Sequence, residues 1–448
     1  MSSRPPRAPK VPPALLAAHA TLLAVDTANA YANLALADQI DRVPERQRPF
    51  ATELTFGCCR LLGTHDRIIE AASGRRADQL DAPLRAVLRL TSHRLLVMDA
   101  PDHAVVNEAV DLARRVAGHR VTGLVNAVAR KIARRSLDQW LDVVTAGLPA
   151  DEAWAVRHHH PRWIADVHRG LLGDDEASLA LAANNQAARP TLVVRPGLAD
   201  RDSVEGAEPT RWSPWGFTST TAPGELRQVR GGTVGVQDEG SQLVALALAR
   251  VADHEQPWLD LCAGPGGKAA LLTGLAREAG TWLLANEAQP HRAALVRQGL
   301  RAYPHGWQVV AGDGTRPAWR PDQFAAVMAD VPCTGLGALR RRPEARWRKS
   351  PDDLPDLVDL QQSLLASALE SVTPGGVVAY VTCSPHPDET VGAVRAVIGS
   401  RTDVKVLDAP AVLAEVSDCR RTEDERFVQL WPHRHGTDAM FLALLRRT

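Results

Sequence analysis

The chain has 448 residues, more than an ordinary single domain, and this length predicts two or three domains. Apolar residues make up 45% and charged residues 23%, and Lys plus Arg equals Asp plus Glu at 52 each. This balance excludes a globally basic protein, so any nucleic-acid contact must come from local patches. No apolar run reaches the roughly 18 residues that a membrane-spanning helix needs, so we expect no membrane segment.

The chain begins with the basic, proline-rich stretch MSSRPPRAPKVPP, and we predict a flexible tail at residues 1–12 rather than a signal peptide. The six cysteines form no CxxC pair and no tight cluster. That spacing argues against a zinc site and against a disulfide framework, and it fits a reducing cytosol. We therefore expect a cytoplasmic protein without a bound metal, and we expect it to be a monomer.

Residues 13–150 show helical periodicity throughout. The segments 84–99 and 105–117 carry apolar residues at three- and four-residue spacing, and no β-rich run interrupts them. This part predicts an all-α bundle. Residues 196–235 are rich in Pro, Gly, Ser and Thr, and the run TLVVR at 191–195 predicts a short strand. We place a small linking subdomain at 160–235.

From residue 236 to 448 apolar runs alternate with helical segments. Two long helical segments, 291–302 and 357–372, stand out from the apolar runs. The predicted strands are 257–261, 281–286, 307–311, 324–329, 376–381 and 438–445. Alternation of this kind predicts an α/β domain with a mostly parallel, doubly wound sheet.

Residues suited to chemistry follow these strands. The loop CAGPGGK follows the first strand, Glu287 the second and Asp313 the third. Asp330 and Cys333 follow the fourth, and Cys383 follows the fifth. Because ligands of open α/β sheets bind outside the carboxyl ends of the strands, this convergence predicts a single active site.

The glycine-rich loop has more than one interpretation. It can be fitted to the dinucleotide pattern GxGxxG/A, with Glu287 about twenty residues further on, but alone that match is weak. A phosphate-binding Walker loop does not fit, because Ala269 follows Lys268 where Ser or Thr is required. Glu287 can accept both hydroxyls of a ribose, and Asp313 can meet an adenine amino group. The set favours S-adenosyl-L-methionine as cofactor.

Two thiols beside a methyl donor favour covalent chemistry. Carbon 5 of cytosine is a poor nucleophile until a thiolate adds to carbon 6. A carboxyl group at N3 of the base would favour that addition, and Asp330 is placed for it. One cysteine would attack and the other would assist release. Spacing alone does not assign Cys333 and Cys383 to these two roles.

Several blocks resemble the NOL1/NOP2/Sun family of RNA cytosine-C5 methyltransferases. They are LDLCAGPGGK (259–268), DVPCTGLG (330–337), VTCSP (381–385), QDEGSQLVA (237–245), RRRPEARWRKSPDDL (340–354) and HGTDAMF (435–441). The N-terminal half resembles the NusB-like RNA-binding domain of one bacterial branch, through HAVVNEAVDLAR (103–114) and GLVNAVAR (123–130). The resemblance covers nearly the whole chain.

The resemblance implies a Rossmann-like sheet of seven strands with the last antiparallel, and methyl transfer to RNA, with 16S ribosomal RNA of the small subunit as the expected substrate. It implies that Cys383 is the nucleophile and that Cys333 assists release. It assigns donor binding to Cys262, Ala263, Gly264, Pro265, Gly266, Gly267, Lys268, Glu287, Asp313 and Asp330. Two positions depart from the family pattern: Glu287 often is Asp, and Ala269 commonly is Thr or Ser.

Residues 340–349 hold six basic residues and one acidic residue around Trp347. We predict RNA contacts there, with arginines on phosphates and the tryptophan on a base. The predicted contact residues are Arg340, Arg341, Arg346, Trp347 and Arg348. The arginines at 114, 115, 120, 130, 134 and 135 are candidates for a second RNA surface.

Two other classes of function remain as alternatives. A non-catalytic RNA-binding or assembly factor would lack the thiols or the donor loop, and both are present. A nicotinamide-dependent oxidoreductase would leave both cysteine blocks and Asp313 without a role.

Overall fold

The computed structural model describes residues 11–253 and 256–448. Most of the predicted tail, residues 1–10, lies outside the described residues. The chain divides into two compact units. The first comprises Met1–Ala187 with the separate segment Leu339–Lys349, and the second comprises Ala188–Ala338 with Ser350–Thr448.

The first unit is helical, as its periodicity predicts. Its long helices, within the described residues, are α1 (Pro13–Ala28), α2 (Ala32–Ile40), α3 (Arg48–Arg60), α4 (Leu62–Ser73), α5 (Ala82–Leu96), α6 (Asp102–Val116), α7 (Thr122–Ile132), α8 (Leu137–Thr145), α9 (Ala150–Arg157) and α10 (Arg162–Asn184). Helix α8 begins with a capping box between Ser136 and Gln139. Residues such as Leu22, Leu54 and Val87 are buried in one shared core.

The second unit begins with a small antiparallel sheet in the order β2-β3-β1-β4. Its elements are β1 (Leu192–Val194), β2 (Glu208–Pro209), β3 (Gly216–Thr218), α11 (Arg227–Gly231) and β4 (Val234–Val236). The linking subdomain predicted at 160–235 therefore spans two kinds of structure. Helix α10 falls in the first unit, and the small sheet falls in the second.

The main α/β part of the chain follows. Its elements are α12 (Glu239–Val251), β5 (Trp258–Asp260), α13 (Gly267–Glu278), β6 (Leu283–Glu287), α14 (Pro290–Leu300), β7 (Trp307–Ala311), β8 (Phe324–Asp330), α15 (Ala345–Arg348, in the segment of the first unit), α16 (Leu354–Ser371), β9 (Val372–Thr382), α17 (Val391–Ile398), β10 (Val404–Val406), α18 (Ala409–Val412), β11 (Arg420–Arg421), β12 (Asp424–Gln429), α19 (Pro432–His435) and β13 (Phe441–Arg447).

The large sheet has the strand order β11-β12-β13-β9-β8-β5-β6-β7, with β10 pairing to β13. Strands β5 to β9 pair in parallel, whereas β13 pairs antiparallel to β9. The order β7-β6-β5-β8-β9-β13-β12 accounts for the seven strands expected, and β10 and β11 extend the sheet. All six predicted strands of this half are present.

Both faces of the sheet are covered. Alternate residues of β8, such as Ala326 and Met328, pack with α12 and α13 on one face. Their neighbours Val327 and Ala329 pack with α16 and α17 on the other face. This two-sided burial explains why the parallel strands read as continuous apolar runs in the sequence.

None of the helices formed by the described residues combines the length and the apolar character of a bilayer-spanning helix.

Candidate active site

Strand β5 lies at the centre of the site, because it pairs with β6 on one side and with β8 on the other. From β5 the chain first builds outward through β6 and β7, and later through β8 and β9. The strand order therefore reverses at β5, and a crevice opens at the carboxyl ends of strands at such a switch point. Glu287 and Asp313 follow on one side of the crevice, and Asp330, Cys333 and Cys383 on the other.

The loop after β5 has glycines that allow a ligand in the crevice to approach its backbone closely. The Gly264 N–H donates to Oε2 of Glu287 at 3.0 Å. A Cβ on Gly264 would lie 2.1 Å from that oxygen, so any other residue there would displace the Glu287 carboxylate. Gly266 has a φ of 112°, a left-handed conformation suited to glycine, and helix α13 begins at the next residue. The loop thus presents a helix N-terminus toward the crevice.

Glu287 and Asp313 differ in their surroundings. The Glu287 carboxylate is buried and accepts a second backbone hydrogen bond, from the Gln289 N–H at 2.9 Å. Arg292 lies 3.6 Å from the same carboxylate. Asp313 is exposed, and hydrogen bonds from the Thr315 N–H and hydroxyl lower the pKa of its carboxyl group.

Lys268 joins the two sides of the crevice. Its Nζ donates to Oδ2 of Asp330 at 2.8 Å, and only 13% of its side chain is exposed. Burial alone would lower the pKa of Lys268, but the charge and hydrogen bond of Asp330 more than offset it, so that the pKa is raised. Interaction with Cys383 also favours the ammonium form, so the positive charge of Lys268 acts on that sulfur.

The two thiols that the sequence singled out meet in the structure. Sγ of Cys333 lies 3.3 Å from Sγ of Cys383. The hydrogen bond with Cys383, together with burial, raises the pKa of Cys333 well above its ordinary value. One of the two thiols donates a hydrogen bond to the other across this contact. Burial also raises the pKa of Cys262, which leaves that donor-loop thiol unreactive.

Tight backbone packing holds the Cys383 loop in place. The Gly337 N–H donates to the carbonyl of Cys383 at 2.8 Å, and the Ala439 N–H donates to the carbonyl of Gly337 at 2.9 Å. A Cβ on Gly337 would lie 2.1 Å from the carbonyl oxygen of Ala439. The glycine that ends DVPCTGLG is therefore required by packing.

Comparison with known proteins identifies the family. The chain is 43% identical to a Mycobacterium tuberculosis protein named as a methyltransferase, over 99% of both chains. It is 30% identical to ribosomal RNA small subunit methyltransferase B of Pseudomonas putida, over 96% of this chain and 97% of the relative. The 16S rRNA methyltransferase RsmB/F model matches residues 245–446, and the NusB family model matches residues 13–134. The chain belongs to the RsmB/F methyltransferase family.

Solved structures agree with this RsmB/F fold. The crystal structure of PH0851 superposes with a TM-score of 0.82 at 21% identity, covering 98% of this chain and 100% of that chain. A methyltransferase homologue from Pyrococcus horikoshii superposes with a TM-score of 0.57 at 22% identity, covering 67% of this chain and 99% of that chain. These likenesses concern the fold.

RsmB/F proteins are S-adenosyl-L-methionine-dependent, and the residues of this crevice fit that donor. The loop 262–268 offers backbone and a helix N-terminus, and Glu287 and Asp313 follow on the next two strands. Asp260, at the end of β5, adds a third carboxylate that the sequence analysis missed. Both of its carboxyl oxygens are buried. Burial and the charge of Asp330 raise its pKa to about 7.

Asp260 was missed because PWLDL reads as an apolar strand. Its position, two residues before Cys262 at the end of the strand, was the signal that could have found it. Glu389 was missed as well. It is fully buried beside the thiol loops and lies six residues after Cys383.

The basic segment 340–349 has a different environment from the one predicted. It belongs to the first unit, and Arg346 is fully buried there. The guanidinium of Arg346 donates to the carbonyls of Arg60, His159 and Asn184 and to the side chain of Asn185. Its donors are directed at protein acceptors, so a phosphate contact by Arg346 is not supported.

Trp347 and Arg348 also contact the helical unit. The indole N–H of Trp347 donates to the carbonyl of Cys59 at 2.8 Å. Arg348 donates to the side chain of Asn29 and packs over the ring of Tyr31, with 4.7 Å to its centroid. The predicted base stacking by Trp347 is therefore not supported either. For Arg340 and Arg341, which are half-buried, RNA contact stays a prediction.

Proposed function

We propose that this protein transfers a methyl group from S-adenosyl-L-methionine to carbon 5 of a cytosine in RNA, through a covalent bond between Cys383 and carbon 6 of the base. The substrate is 16S ribosomal RNA. The observation that carries the proposal is the pair of thiols 3.3 Å apart at the same sheet edge as the donor loop. A methyltransferase acting on a nucleophilic nitrogen or oxygen has no need of two thiols.

The two thiols are not equivalent, and their surroundings support separate roles. The ammonium group of Lys268 interacts with Cys383, which places a positive charge beside that sulfur. The hydrogen bond with Cys383 and burial raise the pKa of Cys333, which makes it the weaker candidate for the attacking sulfur. Cys383 is therefore the attacking sulfur, in agreement with the role that the family resemblance implies.

Attack forms the bond from Cys383 Sγ to carbon 6 and makes carbon 5 electron-rich. S-adenosyl-L-methionine supplies the electrophilic methyl group. A carboxyl group at N3 of the base stabilises the adduct, and Asp330 is the candidate, because 28% of its side chain remains exposed beside Lys268. Release then requires loss of the proton from carbon 5 and breakage of the bond between sulfur and carbon 6.

The covalent bond itself prepares Cys333 for release. The hydrogen bond with Cys383 is the main cause of the raised pKa of Cys333. Once Cys383 is bonded to carbon, its sulfur is neutral and this cause is lost. Cys333 can then lose its proton to solvent more easily, and its thiolate accepts the proton from carbon 5 while the electron pair of the carbon 6–sulfur bond returns to Cys383.

The relatives support ribosomal RNA as the substrate class. The Pseudomonas putida protein carries the name ribosomal RNA small subunit methyltransferase B, and so does a Vibrio cholerae protein that is 27% identical over 87% of this chain and 90% of its own. An enzyme that methylates ribosomal RNA acts in the cytoplasm, where ribosomal subunits are assembled. Bisulfite sequencing of 16S ribosomal RNA tests the substrate. One cytosine that is methylated in the parent strain must be unmethylated in a strain from which the gene is deleted.

Denaturing gel electrophoresis after incubation with RNA and S-adenosyl-L-methionine tests the chemistry. We expect Cys383→Ala to be inactive and free of adduct. We expect Cys333→Ala to accumulate a protein–RNA species that survives denaturation. Cys419→Ala, which changes a buried cysteine in the core, is the matched control and must behave like the unmodified enzyme. An adduct from Cys383→Ala and none from Cys333→Ala would reverse the two roles.

A further inference from the structure

A buried carboxylate lies behind the two thiols. Glu389 is fully buried. Its Oε1 accepts hydrogen bonds from the Thr334 N–H at 2.7 Å and from Nε2 of Gln361 at 3.0 Å. Its Oε2 accepts from the hydroxyl of Thr334 at 2.5 Å. Three hydrogen bonds from two residues fix the position of this carboxyl group.

These hydrogen bonds hold the residues on both sides of Cys333. Thr334, which follows Cys333, is held through its backbone and its hydroxyl. Nε2 of Gln361 also donates to the carbonyl of Pro332, which precedes Cys333, at 2.9 Å. The path of the Cys333 loop is thus set by groups that converge on Glu389.

The same network reaches the loop of Cys383. The hydroxyls of Thr334 and Ser384 lie 3.2 Å apart. Because the Thr334 hydroxyl donates its one hydrogen bond to Glu389, it accepts from the hydroxyl of Ser384, the residue that follows Cys383. The carboxylate therefore ties together the two loops that carry the thiols.

Glu389 is itself anchored to the sheet. The hydroxyl of Tyr380, on β9, donates to the carbonyl of Glu389 at 2.8 Å. Tyr380 is buried in the core on one face of the sheet. The network is therefore attached to the rigid sheet. If the Glu389 side chain is replaced, we expect the two cysteine loops to shift and the sheet to stay in place.

We propose that Glu389 is a positioning residue that sets the separation of the Cys333 and Cys383 sulfurs, and so the balance between adduct formation and release. The effect of Glu389 on the separation of the two sulfurs follows from the hydrogen-bond network alone. Its effect on adduct formation and release rests on the proposed function.

The first test needs no RNA and no methyl donor. A diazene oxidant such as diamide joins two nearby thiols into a disulfide; it takes up two electrons and both thiol protons and becomes a hydrazine. The rate at which Cys333 and Cys383 become joined, measured by peptide mapping of the full chain, reports how often the two sulfurs are in contact. We expect Glu389→Ala and Glu389→Gln to form this disulfide at least about tenfold more slowly than the unmodified protein.

Two further variants make the comparison specific. Thr334→Val removes the hydroxyl that links Glu389 to Ser384, and it must also slow formation of the disulfide between Cys333 and Cys383. Asp388→Asn changes the exposed neighbour of Glu389, and it must leave the rate unchanged. A rate in Glu389→Gln within twofold of the unmodified protein overturns the proposal, and it does so whether or not Glu389→Ala folds.

The second test uses RNA and the denaturing gel. In Glu389→Gln we expect a larger fraction of trapped protein–RNA adduct than in the unmodified enzyme, with unchanged affinity for S-adenosylhomocysteine. A uniform fall in activity with no change in the trapped fraction would overturn the effect on release. If Cys333→Ala traps no RNA, the proposed chemistry fails, while the disulfide rates still decide the geometric role of Glu389.

Discussion

Replacement of Arg346 by alanine tests whether the basic segment is a structural part of the helical unit. Arg60 is the last residue of α3 and Asn184 the last residue of α10, and the Arg346 guanidinium bonds both carbonyls, at 3.3 and 3.0 Å. It also bonds the His159 carbonyl at 3.1 Å and Oδ1 of Asn185 at 2.6 Å. Carbonyls at helix ends have no partner within their helix, and a positive charge there interacts favourably with the helix dipole.

The size of the effect follows from two opposing contributions. Alanine would leave two buried and two half-buried acceptors without this donor, and each costs about 1–3 kcal/mol. Against this, burial and the charge of Arg60 lower the pKa of Arg346 to about 9, which shows that placing the cation there is itself costly. Removal of that cost offsets roughly half of the loss. We therefore expect Arg346→Ala to lower the free energy of unfolding by about 3 kcal/mol.

Urea denaturation of the full chain measures this loss, and hydrogen exchange locates it. Exchange should rise in the last turns of α3 and α10. Arg346→Lys keeps the charge but loses the planar set of donors, so its loss should be intermediate. Arg342→Ala, an exposed arginine of the same segment, is the control and should stay within about 0.5 kcal/mol. An unfolding free energy for Arg346→Ala that matches this control would refute the role of Arg346 in the helical unit.

Three further predictions concern the second unit. Asp313→Ala should weaken binding of S-adenosylhomocysteine without unfolding the sheet, and titration calorimetry that finds unchanged affinity would remove Asp313 from the donor site. Burial raises the pKa of Asp260 to about 7 from 3.8, so the stability that its protonated form contributes is lost as pH rises through that range. Asp260→Asn should therefore gain stability over the unmodified protein at pH 8 and much less at pH 5, as urea denaturation at both pH values will show. A fragment starting at residue 188 should bind donor but methylate RNA poorly, and full activity on naked RNA at low concentration would contradict this.

The sequence by itself determined the classes of structure. Mainly apolar runs of five or six residues predicted buried parallel strands, and three- and four-residue spacing predicted the helices. Both patterns are local, because they follow from the periods of the two elements. The places of the donor loop, Glu287, Asp313, Asp330 and the two cysteines after strands could also be read from the sequence, while their roles in donor binding and catalysis stay predictions. Their positions after strands are enough, because the carboxyl ends of parallel strands lie at one edge.

The sequence did not predict which charged residues are buried. A run of six basic residues in ten reads as a solvated or RNA-binding surface, yet Arg346 is fully buried. Its acceptors come from residues more than 150 positions away in the chain, at the ends of helices. Every residue has a backbone carbonyl group. A binding site made mainly of carbonyl groups therefore cannot be recognised from the residue types in the sequence.

Only the tertiary structure decided how the thiols are arranged. The sequence placed Cys333 and Cys383 at the ends of two strands, and the parallel pairing of β8 with β9 brought their sulfurs to 3.3 Å. Asp260 and Glu389 became visible only through burial and hydrogen bonding. The electrostatic environment of a side chain depends on groups that are distant in sequence, whereas helical and strand periods depend on neighbours. That difference is the physical reason why the fold could be read from the chain and the roles of these carboxylates could not.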